Sequence, residues 1–342
     1  MNKLILDNLN HRYTEKVPVW LMRQAGRYMK EYHIIKNKFN GFMEMCKNSD
    51  AVTEITLQPI KKFDFDAAII FSDILLILDA ININVEFIPG KGPVIENLES
   101  LQNVKCLSRE LNLNKVKPCY KAIKNIKKEL INKPLIGFSA APWTLATYYI
   151  EGSITKDLSK IKSFSYKNLE EMDYIIDLFS DLISQHLINQ IEAGVDLIQI
   201  FDTHSYQMDY YMHQRYSTKQ VKKIAKSIKE KYPNIPIIYY SKNFHFLDKE
   251  VNNYLNCLSL NSNISLKEQK KYIRGDICLQ GNLDPYLLVE GGEYMIKEIE
   301  SILLEMENSF FIFNLGHGIL PQTPVENVFK LVETVRNFKK KV

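Results

Sequence analysis

The chain has few cysteines, and their spacing is not typical of a metal site or a disulfide framework. Five cysteines occur among 342 residues. None stands in a C-x-x-C pair or at a short ligand spacing to a histidine. Scattered cysteines in odd number are typical of reduced thiols, so we expect no metal and a reducing, cytoplasmic compartment.

The sequence also lacks a long apolar run. No stretch approaches the length of a membrane span, and residues 1–11 hold no apolar segment long enough for a signal peptide. The net charge of +4 is spread over many lysines, and the longest basic cluster, residues 339–341, is terminal. We therefore expect neither a membrane nor a nucleic-acid partner.

Motifs of several common enzyme classes are missing too. The chain contains no nucleophile elbow, phosphate loop, zinc motif or dinucleotide fingerprint. Its composition, 46% hydrophobic and 25% charged, is nevertheless that of a globular protein with a sizeable core. Any chemistry must come from ordinary polar side chains, so we expect no cofactor.

What recurs along the chain is a short apolar run followed by a polar cluster and a helical pattern. The runs are residues 17–22, 67–71, 135–138, 197–201, 237–240, 257–260, 277–280 and 310–313. Several lack alternation, as expected of parallel strands buried on both faces. The repeat predicts an α/β fold, a single-domain (β/α)8 TIM barrel over residues 1–342.

Helical spacing of apolar residues predicts the intervening helices. The clearest patterns cover residues 50–62, 169–193, 221–232 and 295–306. The last helix is expected to begin with a capping box of Thr323, Pro324 and Glu326. Residues 81–93, with P-G-K-G-P inside them, predict an inserted loop or hairpin.

Polar residues follow the predicted strands repeatedly. Arg23 follows the first run, Asp73 the second, Ser139 the third, Thr203 the fourth and His317 the eighth. Active sites of such barrels lie at the carboxyl ends of the strands. A pocket is therefore predicted there, suited to a polyanionic small molecule.

Two arginines four residues apart, Arg23 and Arg27, are candidates for an anion clamp. Their guanidinium groups suit carboxylates, and they share a face if the segment is helical. Gly26 between them permits unusual dihedral angles. The alternative is a pair of surface arginines in ordinary salt bridges.

The other candidates each have a structural alternative. Asp73 lies in an apolar setting and either points into the pocket or caps a helix, with Ser72 a competing cap. Tyr148 and Tyr149 are adjacent, and either could face the pocket while the other packs in the core. Thr203 offers a hydroxyl or a cap. The glycines flanking His317 favour a ligand-facing imidazole.

Four stretches together resemble the uroporphyrinogen decarboxylase family. They are P-V-W-L-M-R-Q-A-G-R-Y at 18–28, I-I-F-S-D-I-L at 69–75, G-F-S-A-A-P-W-T-L at 137–145 and F-N-L-G-H-G-I-L-P-Q-T-P-V-E-N-V at 313–328. The resemblance implies a (β/α)8 barrel, usually a homodimer, that converts the four acetate side chains of uroporphyrinogen III into methyl groups in haem biosynthesis, with no metal or prosthetic group.

The same resemblance assigns the site. It implies substrate contacts from Arg23, Gln24, Ala25, Gly26, Arg27, Asp73, Tyr148, Thr203 and His317. It implies catalytic roles for Asp73, Arg23, Arg27, Tyr148 and His317. It also favours Tyr148 over Tyr149.

This chain departs from the family pattern at several positions. Ala140 stands where glycine is usual, Asn261 and Ser262 replace Asp-Trp, and His204 replaces a tryptophan of many relatives. The segment S-K-N-F-H-F after Tyr240 lacks the expected glycine. Two alternatives follow. One is a zinc-dependent methyltransferase, which needs an H-x-C pair absent here. The other is a porphyrinogen-binding protein without catalysis.

Overall fold

Seven parallel strands form a curled sheet that carries the rest of the molecule. The computed structural model describes residues 3–95, 101–153, 155, 157–242, 250–271 and 277–340. The strands of the sheet are β1 Ala68–Ile69, β4 Leu135–Ala140, β5 Leu197–Asp202, β6 Ile237–Ser241, β7 Cys257–Leu260, β8 Cys278–Leu283 and β9 Phe311–Leu315. They pair in the order β1-β4-β5-β6-β7-β8-β9. Each corresponds to a predicted apolar run.

The first apolar run closes the sheet without becoming a full strand. Val19 makes an isolated parallel bridge to Phe313 of β9. On its other side, Asp66 N–H donates to the Val19 carbonyl at 2.9 Å, and Val19 N–H donates to Asp66 Oδ2 at 2.8 Å. The Asp66 side chain thus makes one of the hydrogen bonds that the backbone of a neighbouring strand would make. Residues 17–22 therefore form a single bridge and not a full strand.

Helices cover the outside of the sheet. They are α1 Leu4–Leu9, α2 Lys30–Lys36, α3 Phe42–Cys46, α4 Ser49–Phe63, α5 Leu76–Ala80, α6 Leu113–Glu129, α7 Pro142–Glu151, α8 Ser159–Lys167, α9 Leu169–Ala193, α10 Tyr210–His213, α11 Lys219–Lys231, α12 Leu266–Lys270, α13 Pro285–Glu290, α14 Gly292–Glu305 and α15 Val325–Asn337. The four predicted helical patterns are confirmed as α4, α9, α11 and α14. Gly194, at φ 120°, ends α9.

The predicted insertion is confirmed as a hairpin. Strands β2 Val85–Ile88 and β3 Gly92–Ile95 pair antiparallel outside the barrel. The predicted capping box at the last helix is wrong. Helix α15 begins one residue later, with Pro324 as its cap residue, and the Thr323 hydroxyl is buried without a hydrogen-bond partner.

A buried polar network joins the closing segment to the barrel interior. Trp20 Nε1 donates to Gln280 Oε1 at 2.9 Å, and Gln280 Nε2 donates to Gln199 Oε1 at 3.2 Å and to Ser259 Oγ at 2.8 Å. Each buried amide therefore has a partner, which ties β5, β7 and β8 to residue 20. Within the described residues, no helix has both the length and the apolarity to span a membrane.

Candidate active site

Seven side chains converge beyond the carboxyl ends of the strands, and we call them the pocket cluster. They are Arg23, Asp73, Tyr148, His204, Tyr240, Lys242 and His317. Burial raises the pKa values of Asp73, Tyr148 and Tyr240 and lowers those of Lys242 and His317; the positive charge of Arg23 opposes the rise in the first three and adds to the lowering in the other two. Four of the five residues assigned catalytic roles therefore lie together where the sequence predicts a pocket.

Arg23 is held by a strained turn and not by a helix. Its φ of 59° lies in the left-handed region, which is costly for a residue with a Cβ atom. Two bonds to the last strand and its loop fix the turn: Met22 N–H donates to Asn314 Oδ1 at 3.0 Å, and Ile319 N–H donates to the Met22 carbonyl at 2.9 Å. The segment is not helical, since α2 begins only at Lys30, so Arg23 and Arg27 do not share a helical face.

The glycines near Arg23 act by leaving space. Gly318 lies against the arginine stem, where an added Cβ would come within 2.4 Å of Arg23 Cδ. Gly316 likewise admits Ser262, whose backbone nitrogen would lie 2.2 Å from a Cβ. Gly26, in contrast, is not in the left-handed region and has room for a Cβ atom. The unusual backbone dihedral angles expected at Gly26 occur at Arg23 instead.

This packing predicts the effect of Gly318→Ala. The new methyl group would push the Arg23 side chain out of the pocket, and we expect kcat/KM to fall by about tenfold or more, as misplaced substrate-orienting groups do. The matched control is Gly41→Ala, because nothing lies within 4 Å of a Cβ at Gly41. Unchanged kinetics in Gly318→Ala would contradict this placement of Arg23.

Asp73 lies half-buried after β1. Its Oδ1 accepts a hydrogen bond from Leu75 N–H at 2.8 Å, so it stabilises the turn before α5 without capping the helix itself. Burial raises the pKa of Asp73 to about 6, while the Leu75 bond and the positive charge of Arg23 oppose the rise. The carboxylate retains acceptor capacity for a ligand.

The two neighbouring tyrosines have different environments. Tyr149 is fully buried and packs edge-on against Phe179. Tyr148 is half-buried and meets the His204 ring edge-on, with ring centroids 5.2 Å apart. Burial and the charge of Asp73 raise the pKa of Tyr148 to about 12. Tyr148 is therefore the pocket tyrosine, and it keeps its proton at neutral pH.

The imidazole of His317 lies half-buried against Tyr240, with ring centroids 6.3 Å apart. Burial lowers its pKa to about 3, with further lowering contributions from Arg23, Lys242 and His204. His317 is thus neutral at physiological pH. Tyr240 supports its loop, because the Tyr240 hydroxyl donates to the Gly316 carbonyl at 3.0 Å.

Thr203 lies half-buried between Asp202 and His204, and the short helical turn that follows, Ser205–Gln207, has no side-chain cap. The capping alternative for Thr203 is therefore wrong. Asp202 is fully buried and accepts hydrogen bonds from three hydroxyl groups, which anchors this loop. The donors are Thr144 Oγ1 at 2.9 Å, Ser217 Oγ at 2.6 Å and Tyr239 Oη at 2.9 Å.

The remaining predicted contacts lie in the turn after Arg23. The Gln24 side chain is fully buried in the wall, where its Nε2 donates to the Ala67 carbonyl at 3.1 Å. The Arg27 side chain is exposed, and its charge acts on the pKa of Tyr32. Among the described residues, none accepts a hydrogen bond from the backbone N–H of Ala25, Gly26 or Arg27. Consecutive unbonded N–H groups suit a carboxylate.

Three of the departures from the family pattern, Ala140, Asn261 and Ser262, lie at or just after the carboxyl ends of strands, whereas residues 243–246 of the S-K-N-F-H-F segment lie outside the described residues. Ala140 is fully buried at the end of β4. The Asn261 side chain accepts from Ser262 N–H at 2.8 Å, and Ser262 packs on Gly316, directly behind His317. Tyr240 and Lys242 are the members of the pocket cluster that the motifs did not identify. Their positions at and just after the end of the fifth apolar run were the available signal.

Comparison with known proteins gives the family. A family model described as "Uroporphyrinogen decarboxylase (URO-D)" matches residues 1–338. The chain is 39% identical over 333 residues to a uroporphyrinogen decarboxylase of Rickettsia bellii, covering 96% of this chain and 97% of the relative. It is 41% identical over 326 residues to that of Wolbachia pipientis wMel, covering 94% of each.

Among solved structures, a methyltransferase from Methanosarcina mazei superposes with a TM-score of 0.75 at 18% identity, covering 98% of this chain and 97% of that one. At that identity the likeness concerns the fold alone, and it agrees with the predicted barrel. The family resemblance found in the motifs is confirmed. This chain belongs to the uroporphyrinogen decarboxylase family.

Proposed function

We propose that the chain removes carbon dioxide from the four acetate side chains of uroporphyrinogen III and releases coproporphyrinogen III, as a step of haem biosynthesis, without a metal or prosthetic group. The observation that carries the proposal is Asp73. It is a half-buried carboxylate with raised pKa at the carboxyl ends of the barrel strands, close enough to Arg23 and Tyr148 for their pKa values to be coupled to its charge. Family membership supplies the substrate class.

The chemistry asks for a fixed negative charge. Loss of carbon dioxide leaves an electron pair on the methylene group beside the pyrrole. Protonation of a ring α-carbon first gives a conjugated iminium that accepts this pair. An ionised Asp73 accepting pyrrole N–H bonds would stabilise that cation more than the neutral ring, which is what lowers the barrier.

The cationic and neutral donors have complementary roles in this proposal. Arg23, Arg27 and the N–H groups of residues 25–27 bind side-chain carboxylates and orient the ring. Tyr148 and neutral His317 are hydrogen-bond donors, and Thr203 adds a hydroxyl. Pairing the reacting acetate with an arginine would stabilise the ground state too, so we assign the arginines to binding. Tyr148, His317 and bound water are the candidate proton donors.

The raised pKa of Asp73 predicts a pH dependence. The active form is the carboxylate, so kcat/KM should rise with pH through about 6 and then level off. His204, with a pKa lowered to about 4, and His317, with a pKa lowered to about 3, are already neutral there. The measurement is kcat/KM of the wild type over a pH range that brackets this value. An ascending limb that persists unchanged in Asp73→Asn would contradict the assignment.

Turnover with defined substrate tests the function. The purified protein is incubated anaerobically with enzymatically prepared uroporphyrinogen III, with and without EDTA, and the products are separated by chromatography. We expect the series from seven to four carboxylates in both samples. Decarboxylation that EDTA removes and zinc restores would contradict the metal-free part of the proposal. Tight binding without product would favour the non-catalytic alternative.

Further features of the family are part of the proposal. We infer a single domain over residues 1–342, a homodimer in solution and a cytoplasmic location. Family membership and the scattered cysteines support them. Light scattering during size-exclusion chromatography should give twice the chain mass of 39.9 kDa. A mass equal to one chain would contradict the homodimer.

A further inference from the structure

Lys242 differs from the other partly buried lysines. It is half-buried, directly after β6, and has no hydrogen-bond or ion-pair partner among the described residues. Every other buried or half-buried lysine in that part of the chain has an oxygen partner. These partners are Asp79 for Lys47 and Lys115, Glu31 for Lys62, Asp196 for Lys127, Asp64 for Lys133, Gln207 for Lys162, Glu250 for Lys222, Asp177 for Lys223, Asn256 for Lys229 and the Ser309 carbonyl for Lys340.

The surroundings of Lys242 make its charge costly. The described titratable groups that interact with its charge are a cation, Arg23, and the imidazoles of His204 and His317, whose pKa values the lysine lowers further beyond the effect of burial. Burial and Arg23 lower the pKa of Lys242 itself. The one favourable contact described is with Tyr206, whose ring centroid lies 5.1 Å from the ammonium nitrogen. A half-buried cation without a counter-ion is a cost that an anionic ligand would remove.

The position of Lys242 fits a ligand at the rim of the pocket. Tyr206, against which the ammonium lies, is 44% exposed. The aliphatic part of the Arg23 side chain packs against Gly318, in the loop after β9. Lys242 and Arg23 therefore act on the same space from two different strand ends, β6 and the closing segment.

We propose that Lys242 is a substrate-binding residue that pairs with a side-chain carboxylate of the porphyrinogen at the pocket rim. The inference rests on the proposed function for the identity of the ligand. Two kinds of carboxylate are available on such a ring. Acetates are lost one by one during the reaction, whereas propionates persist into the product.

The test compares Lys242→Gln, which removes the charge, with Lys242→Arg, which keeps it. Lys226→Gln is the matched control, because Lys226 is 59% exposed and pairs only weakly with Glu230 on its own helix. We expect Lys242→Gln to raise KM for uroporphyrinogen III by about tenfold, as loss of a charge-assisted bond does, with kcat within about threefold. Lys242→Arg and Lys226→Gln should stay near the wild type.

The purified intermediates separate the two sources. A penalty on KM that is equal for the substrates with eight, seven, six and five carboxylates assigns a propionate. A penalty that vanishes as acetates are lost assigns an acetate. An unchanged KM in Lys242→Gln would overturn the proposal. So would equal losses in kcat and thermal stability in both Lys242 variants, since that pattern marks a structural role.

A binding experiment keeps this inference distinct from the proposed function. Retention of uroporphyrinogen III and coproporphyrinogen III by the wild type and by Lys242→Gln is measured by anaerobic ultrafiltration. If the wild type binds but gives no product, decarboxylation fails as the function, while weaker retention by Lys242→Gln still supports the lysine–carboxylate pair. Equal retention of both compounds by the two proteins overturns the pair even if turnover is normal.

Discussion

Replacing Asp73 by Asn is expected to lower kcat by at least about a hundredfold, the scale of other lost preorganised charges. Asparagine keeps the shape of the side chain and can still accept the bond from Leu75 N–H. Only the negative charge that stabilises the ring cation is lost. The measurement is initial-rate kinetics with uroporphyrinogen III at a pH well above the pKa of Asp73, where the wild-type carboxylate is ionised.

The same substitution should stabilise the fold. The folded-state pKa of Asp73, about 6, lies above the ordinary value of 3.8 for this group. The folded protein then binds the proton more tightly than the unfolded chain, so ionisation destabilises it as pH rises from about 4 to 6. Asp73→Asn removes this cost, and the free energy of unfolding at neutral pH should rise by about 1–3 kcal/mol. Below the ordinary pKa of an aspartate the gain should disappear.

The control for both measurements is Asp177→Asn, the same chemical change on the exposed face of α9. Asp177 is 55% exposed and pairs with Lys223. It should leave kcat unchanged and alter stability by less than about 1 kcal/mol. Near-wild-type turnover in Asp73→Asn would reject the catalytic role. A lower free energy of unfolding of Asp73→Asn at neutral pH would contradict the claim that the ionised Asp73 carboxylate destabilises the fold.

Replacing Arg23 by Gln is expected to lower kcat/KM by about 10- to 100-fold, the range for losing a charge-assisted hydrogen bond. Arg23 is the cation of the pocket cluster whose charge acts on Asp73, where it opposes the rise in the pKa of the carboxyl group. The ascending limb of the pH profile should therefore move to higher pH in the variant. Both changes are read from kcat/KM measured across the same pH range as for the wild type.

Arg215→Gln is the matched control for Arg23→Gln. Arg215 is 47% exposed and forms a surface pair with Asp173. Its replacement should leave the pH profile in place. If Arg23→Gln lowers kcat/KM but does not move the limb, the electrostatic link between Arg23 and Asp73 is wrong, whatever the role of the arginine in binding.

Most of the fold was predictable because its signals are periodic. Buried parallel strands leave continuous apolar runs, and long amphipathic helices leave a period of about 3.6 residues, as in α9. The first run was predicted as a strand, yet only Val19 bridges, because an Asp66 carboxylate takes the place of a neighbouring backbone group. No local sequence pattern reveals that a side chain will make a hydrogen bond usually made by a neighbouring strand.

Site residues could be predicted where a sequence motif identified them. They could not be predicted where tertiary packing determines the backbone conformation or the position of a side chain. Asp73, Tyr148 and His317 lie together beyond the carboxyl ends of the strands, and their role in a substrate pocket stays a prediction. A helix at Arg23 was only a condition for a shared face with Arg27, and unusual dihedral angles were expected at Gly26, because glycine is the usual residue for them. The bond from Met22 to Asn314, 292 residues away in sequence, imposes the strain on Arg23 instead.

Lys242 shows the limit most clearly. A lysine after an apolar run is ordinary in sequence, and only the structure reveals that no described residue gives it the oxygen partner found for the other partly buried lysines. The departures at Asn261 and Ser262 are similar. They could be named from sequence, but their position behind His317 depends on how closely Gly316 lets two segments approach.

The most direct test of this account is a single-turnover experiment with enzyme in excess over uroporphyrinogen III, run anaerobically with wild type and Asp73→Asn side by side. Chromatography of quenched samples follows the loss of each acetate, independently of product release. The account predicts conversion to coproporphyrinogen III by the wild type, and a first decarboxylation at least about a hundredfold slower in Asp73→Asn. Equal rates in the two proteins, or no product from the wild type, would contradict it.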